Sequence, residues 1–374
     1  MKKDYTIFYY IGVLLAFFAT ISGWSSIINL GIIYYVLAIL SIILLGIYFL
    51  SYRHSFKQLS IIFVILIILI FTFIKTGNFL FLLNFLLIIS SKKINIDSVI
   101  KIDCAVKFFY LIIHIIVYTA NLLFDLNIVD NIHFSNSMGI RQSLLFTGPN
   151  ALSALVFWLI IDFLIINRNK KNIFSKSILA LIPLIICFLF TKTRTTILLY
   201  FLYLILLLLI KRKIGKKIID FLNFYISDIL FMFSTLIVVF SDYIIIHFRS
   251  IFDVVNKMLS SRLAYSINAY KEFGFNLFVN IDAINNPNKY IIDNFYILTI
   301  ISYGIIIYVF ISFLNKYISK HANYFFKIII IISFVYLFFE SLSFNGGLCI
   351  FIILLGYLFY NRGVESWKKN ILHL

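Results

Sequence analysis

Residues Ser177–Ile210 read SILALIPLIICFLF, then TKTRTT, then ILLYFLYLILLLLI. Two apolar runs are joined by six polar residues, with Lys176 before the first run and Lys211-Arg212-Lys213 after the second. A hydrocarbon core roughly 30 Å thick takes about 20 apolar residues per helix. The stretch therefore reads as two membrane helices folded back on a turn too short to hold a domain. Runs of this kind recur from end to end. Of 374 residues, 63% are hydrophobic and 13% charged, and the mean hydropathy is +1.05. A soluble domain is about 45–50% apolar and about a quarter charged, so that class is excluded. Fourteen Gly and three Pro also exclude a disordered or collagenous chain.

The same reading gives about twelve transmembrane helices in one all-α polytopic domain spanning residues 1–374. They are Thr6–Ser22, Ile27–Leu50, Leu59–Ile74, Thr76–Ser90, Cys104–Phe124 and Thr147–Ile166 in the first half. Ser177–Thr191, Thr195–Ile210, Phe224–Ile244, Asp293–Leu314, Lys327–Asn345 and Gly346–Tyr360 follow. The fourth is short, and with the third it could form a re-entrant pair without changing later orientation. The basic start and apolar run Tyr5–Thr20 reads as an anchor helix rather than a cleaved leader.

The net charge of +17 would suit a nucleic-acid partner in a soluble chain. Here it sorts by side. With both termini cytoplasmic, 22 of the 32 Lys and Arg fall on the inner side and nine on the outer side. That is the bias expected of membrane topology, and it leaves no role for nucleic acid. Two outer segments are longer than a turn: residues 125–146 and 245–292. In the second, Leu263, Ile267 and Tyr270 recur at helical spacing from Ser261 to Phe273, with Arg262 and Ser266 on another face. This predicts a short amphipathic helix on the outer membrane surface. Gly274 fits its stop, and Asn285-Asn286-Pro287-Asn288 a turn.

The chain has no phosphate loop, dinucleotide fingerprint, HExxH or GxSxG motif, and its six histidines lack metal-ligand spacing. Neither a metal nor another cofactor is expected. The three cysteines lie in or beside apolar runs and form no readable disulfide framework. Outer arginines are more informative, because the charge bias disfavours them. Arg194, in Thr191-Lys192-Thr193-Arg194-Thr195-Thr196, is wedged between two apolar helices at a helix start. Two cations, several hydroxyls and a helix N-terminus suit a phosphate or pyrophosphate. Arg141 precedes Gly148-Pro149-Asn150 at the start of the sixth span. Arg262 could hold either a substrate anion or lipid headgroups, while Arg249, Lys257 and Lys271 read as solvated. Asp293 and Asn294 open the tenth span, where Asp293 could be an N-cap or a catalytic group. Glu340 lies in an apolar helix, where a carboxylate points to function. Asp162 and Asp228 read as interfacial.

In order and sidedness, three stretches resemble the O-antigen ligase/polymerase superfamily, particularly Wzy-type polymerases of capsule and O-antigen repeat units. They are Arg141 with Gly148-Pro149-Asn150; Thr191-Lys192-Thr193-Arg194; and Arg262…Tyr265…Tyr270…Phe273-Gly274 with Asp293-Asn294-Phe295-Tyr296…Tyr303-Gly304. The resemblance covers roughly residues 135–310. It implies a GT-C-like fold and a metal-independent glycosyltransferase in the bacterial cytoplasmic membrane. The implied substrate is an oligosaccharide linked to undecaprenyl diphosphate, with membrane lipids, a flippase and a chain-length regulator as partners. It implies catalytic roles for Arg194, Arg262 and Asp293, and substrate-binding roles for Arg141, Asn150, Lys192, Asn294 and Glu340. Arg194, Arg262 and Arg141 match positions that contact the diphosphate. Two departures stand out. Eleven residues separate Arg262 from Gly274 where some relatives have ten, and Asp293 stands where ligases usually carry His. The alternatives are a ligase or a lipid-linked oligosaccharide flippase; the flippase would be expected to have helices broken by Gly or Pro at the midplane.

Overall fold

The computed structural model describes residues 5–28, 30–77, 79–125, 133–135, 139–170, 172–258, 262–285, 292–341 and 349–360. It is 80% helical. The helices in the first half are α1 (Thr6–Ser22), α2 (Ile32–Leu50), α3 (Phe56–Thr76), α4 (Leu80–Ile89) and α5 (Ile96–Phe124). A small antiparallel hairpin, β1 (His133–Ser135) and β2 (Gly139–Arg141), pairs His133 with Arg141 and leads to α6 (Pro149–Ile166). Then come α7 (Ile173–Leu179), α8 (Leu181–Thr191), α9 (Arg194–Leu209) and α10 (Lys213–Val239). The segment after α10 holds α11 (Ser241–His247), α12 (Arg249–Met258), α13 (Arg262–Phe273) and α14 (Ile281–Asn285). The chain continues with α15 (Phe295–Leu298), a π-helical turn Thr299–Tyr303, α16 (Ile305–Ser319), α17 (Tyr324–Phe339) and α18 (Phe351–Tyr360).

Among the described residues, four helical stretches are long and apolar enough to cross a membrane: Ile32–Leu50, Pro149–Ile166, Ile173–Thr191 and Lys213–Val239. Their surroundings differ. Helix α6 is apolar all round and mostly buried, whereas α2, α8 and α10 turn Ile, Leu and Phe outward. A helix hydrophobic on every side belongs in a protein interior or in lipid, and here both cases occur. Around α6, Phe157 and Trp158 meet Tyr336 of α17 with ring centroids 5.7 and 5.9 Å apart. Helix α17 in turn packs on α9 and α10, so α6 and α17 form the centre on which the site is built.

Several expectations change. Helix α4 has ten residues, which advance about 15 Å and cover half a hydrocarbon core. The tenth predicted span is not one helix. It breaks at the π turn and at Gly304, whose φ is +96°, and an added Cβ there would lie 2.5 Å from the Leu277 carbonyl oxygen. The carbonyls freed by the break are taken up locally. Ile300 accepts from the Asn276 backbone N–H, Ile301 from Asn276 Nδ2 and Ser302 from the Asn280 N–H, each at 2.9 Å.

Helix α13 forms where helical spacing placed it and stops at Gly274, which has φ +67°. Its apolar side does not lie on a membrane, however: Ile267 and Ala269 are buried against Val238, Ile297, Ile300 and Ile301. The turn expected at 285–288 lies outside the described residues except for Asn285, which ends α14. Asp162 is not interfacial but fully buried; Lys107 Nζ reaches it at 2.6 Å and Asp103 at 2.8 Å. Asp228 pairs with Lys316 at 2.5 Å and accepts from the Tyr308 hydroxyl at 2.8 Å.

Candidate functional site

The α8–α9 turn is built from its threonines. Helix α8 ends at Thr191, Lys192 takes the left-handed conformation at φ +53°, and the extended Thr193 leads into α9 at Arg194. A free hydroxyl at Thr193 would normally cap the new helix. Instead the Thr193 hydroxyl donates to Asn150 Oδ1 at 3.2 Å, and it does not cap α9. The positive end of a 16-residue helix is thus left without a side-chain cap beside Lys192 and Arg194.

Arg141 locks this turn to the hairpin and to α6. Its Nε donates to the Thr191 carbonyl at 2.8 Å, and its Nη2 to Asn150 Oδ1 at 2.8 Å and Thr193 Oγ1 at 3.1 Å. All three acceptors are neutral, so the guanidinium is held in place without losing its charge. Burial and the neighbouring Arg262 push its pKa down from the ordinary arginine value, with Glu340 opposing.

Arg262 has the opposite surroundings. Its Nε lies 2.8 Å from Asp293 Oδ2, and its Nη1 lies 2.7 Å from Glu340 Oε1. Nη1 directs its hydrogen bond to the Phe339 carbonyl at 2.8 Å, so the approach to Oε1 is a charge contact and not an aligned hydrogen bond. Among the described residues, Oε1 of the buried Glu340 accepts no hydrogen bond. Glu340 is also not inside a helix: it is the extended residue that caps the C-terminus of α17, φ −144°. Asp293 is not the N-cap of the next helix. Asn294 takes that role, accepting from the Ile297 N–H at 3.1 Å and donating to Ser234 Oγ at 3.1 Å.

These groups surround one cavity of about 290 Å³. Seven of the eight residues proposed from sequence line it: Arg141, Asn150, Lys192, Arg194, Arg262, Asn294 and Glu340. The eighth, Asp293, stands behind Arg262. The cavity gathers two sets of charge. Arg141, Lys192 and Arg194 form no ion pair among the described residues. Arg262 pairs with two carboxylates, Glu340 in the lining and Asp293 behind it. Apolar side chains close the rest: Phe233 and Ile237 of α10, Val255 of α12, Leu263 of α13 and Phe338 of α17.

No family model, curated protein or solved structure matches the chain. The site therefore rests on its own geometry. Sequence reading missed Ser234 and the apolar wall, because an aromatic or aliphatic residue in a greasy helix carries no signal of facing a cavity. The spacing that put Ser266 on the Arg262 side of α13 was informative, since both line the cavity. Among the described residues, no three His, Cys, Asp or Glu side chains gather as a metal-ligand set.

Proposed function

We propose that this chain is a membrane-embedded glycan polymerase of the O-antigen ligase/polymerase type. It would join oligosaccharide repeat units carried on undecaprenyl diphosphate, on the outer face of the bacterial cytoplasmic membrane. The twelve-span, GT-C-like arrangement and the cytoplasmic termini belong to the same reading. The observation that carries it is the cavity that gathers three cations unpaired among the described residues with the Arg262–Glu340 pair, beside an apolar wall.

Each set of charges suits one side of a glycosyl transfer. When the bond from the anomeric carbon to the diphosphate breaks, negative charge grows on the departing oxygens. Arg194 and Lys192, at the start of α9, would bind that charge, with Arg141 fixing the turn and adding its own field. An acceptor hydroxyl attacks the anomeric carbon, and its proton passes to Asp293 or Glu340. Arg262 then serves differently from the role its resemblance implies. With its charge answered by two carboxylates, it orients the acids and does not grip the diphosphate. Asn150 and Asn294 support the site through Arg141 and Ser234.

The flippase alternative gains a broken helix at residues 299–304, where the carbonyls of Ile300, Ile301 and Ser302 accept from Asn276 and Asn280. Asp293 in place of a His weighs against the ligase.

The test is a surface-glycan gel from a deletion strain complemented with Arg194→Ala, Arg194→Lys or Asp293→Asn. Removing one anion-stabilising donor from an active site costs roughly 10²–10³ in rate. The expected result is short lipid-linked units in place of long chains, with Lys rescuing poorly because it lacks the two-pronged fork. Wild-type chain length with the variants present in the membrane would overturn the assignment.

A further inference from the structure

Helix α12 is divided cleanly by its sequence. At 100° per residue, Ile251, Phe252, Val254 and Val255 fall on one half of the helix, and Arg249, Ser250, Asp253, Asn256 and Lys257 on the other. Phe252 and Asn256 turn toward the protein: Phe252 packs on the cluster that holds α13, and Asn256 Oδ1 accepts from the Ala264 N–H at 3.1 Å. The other apolar residues have no such cover. Ile251 is 63% exposed and Val254 59%, while the charged edge is exposed as well. A soluble surface seldom presents adjacent bare aliphatics on a helix whose far side is charged.

The neighbouring elements indicate what covers them. Helix α10 is long and apolar enough to cross a membrane; Met232 and Leu236 on it are exposed, as is Phe240 just past its end. Exposed apolar side chains follow along the chain, Tyr243 and Ile246 of α11 and then Ile251 and Val254 of α12, and α11 packs against both α10 and α12. They come directly after the end of a helix long and apolar enough to cross a membrane. At that end the charged edge of α12 begins, with Arg249 and Lys257 placed for phosphate-bearing headgroups.

We propose that α12 is an interfacial helix that docks on the anionic lipid surface, with Ile251 and Val254 inserted among the lipid chains and Arg249 and Lys257 on the headgroups. This is the role that helical spacing alone suggested for α13, whose apolar side the protein itself buries. One consequence concerns the cavity. Val255 both lines it and is partly exposed, and so does Phe233 of α10. On this proposal the edge of α12 separates the cavity from the bilayer. The placement of α12 does not depend on the glycan-transfer reading.

The experiment places single cysteines at Ile251→Cys, Val254→Cys, Ser250→Cys and Asp253→Cys in the full chain, each labelled with a small fluorophore. Parent protein, whose Cys187 and Cys349 are buried and Cys104 half-buried, gives the labelling background. The proteins are reconstituted into phosphatidylcholine vesicles with or without phosphatidylglycerol. Quenching is read with nitroxide on the lipid chains and with iodide in the water. The expected result is strong nitroxide quenching and loss of iodide quenching at 251 and 254, with the reverse at 250 and 253. Changing Arg249 and Lys257 together to Gln should shift the 251 and 254 probes toward water only in vesicles containing phosphatidylglycerol. Iodide quenching at all four positions would overturn the proposal, as would protection of 251 and 254 from both quenchers, which would point to a protein partner or a second copy.

Discussion

Arg262 shows how far a single side chain can be read. The sequence marks it as an outer arginine that needs a reason, and the structure supplies two acids at 2.8 and 2.7 Å. Removing one member of a buried ion group leaves its partner uncompensated, at a cost of about 3–5 kcal/mol. Glu340 is the buried partner, so Arg262→Ala should lower the thermal midpoint in detergent markedly. Adding Glu340→Gln should recover part of that loss, because the more buried of the two stranded charges is gone while Asp293 remains, yet glycan polymerisation should stay absent. Equal instability of the single and double variants would show that the pair is not coupled. Asp162 and Lys107 teach the reverse lesson. Their separation by 55 residues hides a contact of 2.6 Å, and Asp162 alone passes for an interfacial residue. Partnership between distant helices depends on packing that no local pattern records.

At the scale of elements, the start and end of α1 agree with the apolar run to the residue, since lipid-facing helices end where polar residues begin. The break at residues 299–304 was invisible because Thr299-Ile300-Ile301-Ser302-Tyr303 is as apolar as a helix interior. Only Gly304 hinted at it. Its positive φ and the 2.5 Å approach of Leu277 O mean that the segment 276–280 docks where only glycine fits. A left-handed strain of this kind costs about 1–3 kcal/mol for a residue with a side chain. Gly304→Ala should therefore release 276–280 from the break. Trypsin should then cut after Lys271 faster than in wild type, by about tenfold for each 1.4 kcal/mol lost. Unchanged cleavage would mean that the docking survives the added methyl. Helix α12 was missed for another reason: five of its ten residues are polar, so it reads as loop until its faces are drawn.

At the scale of the whole molecule, orientation hangs on the parity of crossings, and α4 is where parity is decided. Its ten residues do not reach across a hydrocarbon core, whereas the 21 residues of α3 do by length. If α3 crossed and α4 did not, everything after Ser90 would turn over. The basic cluster Lys211–Lys217 would then face outward, and the arginines of the cavity would face the cytoplasm. Basic residues next to short loops disfavour that arrangement strongly. The proposed orientation therefore requires the pair α3–α4 to act as a unit, either crossing twice with the aid of flanking residues or dipping and returning. Fusions that report compartment distinguish the cases. A fluorescent protein truncated onto Lys216 should be bright, and alkaline phosphatase joined at Asn276 should be active. The opposite pattern at both positions would place the cavity on the inner face. Polymerisation of units presented outside would then be impossible, however well the cations and acids were arranged.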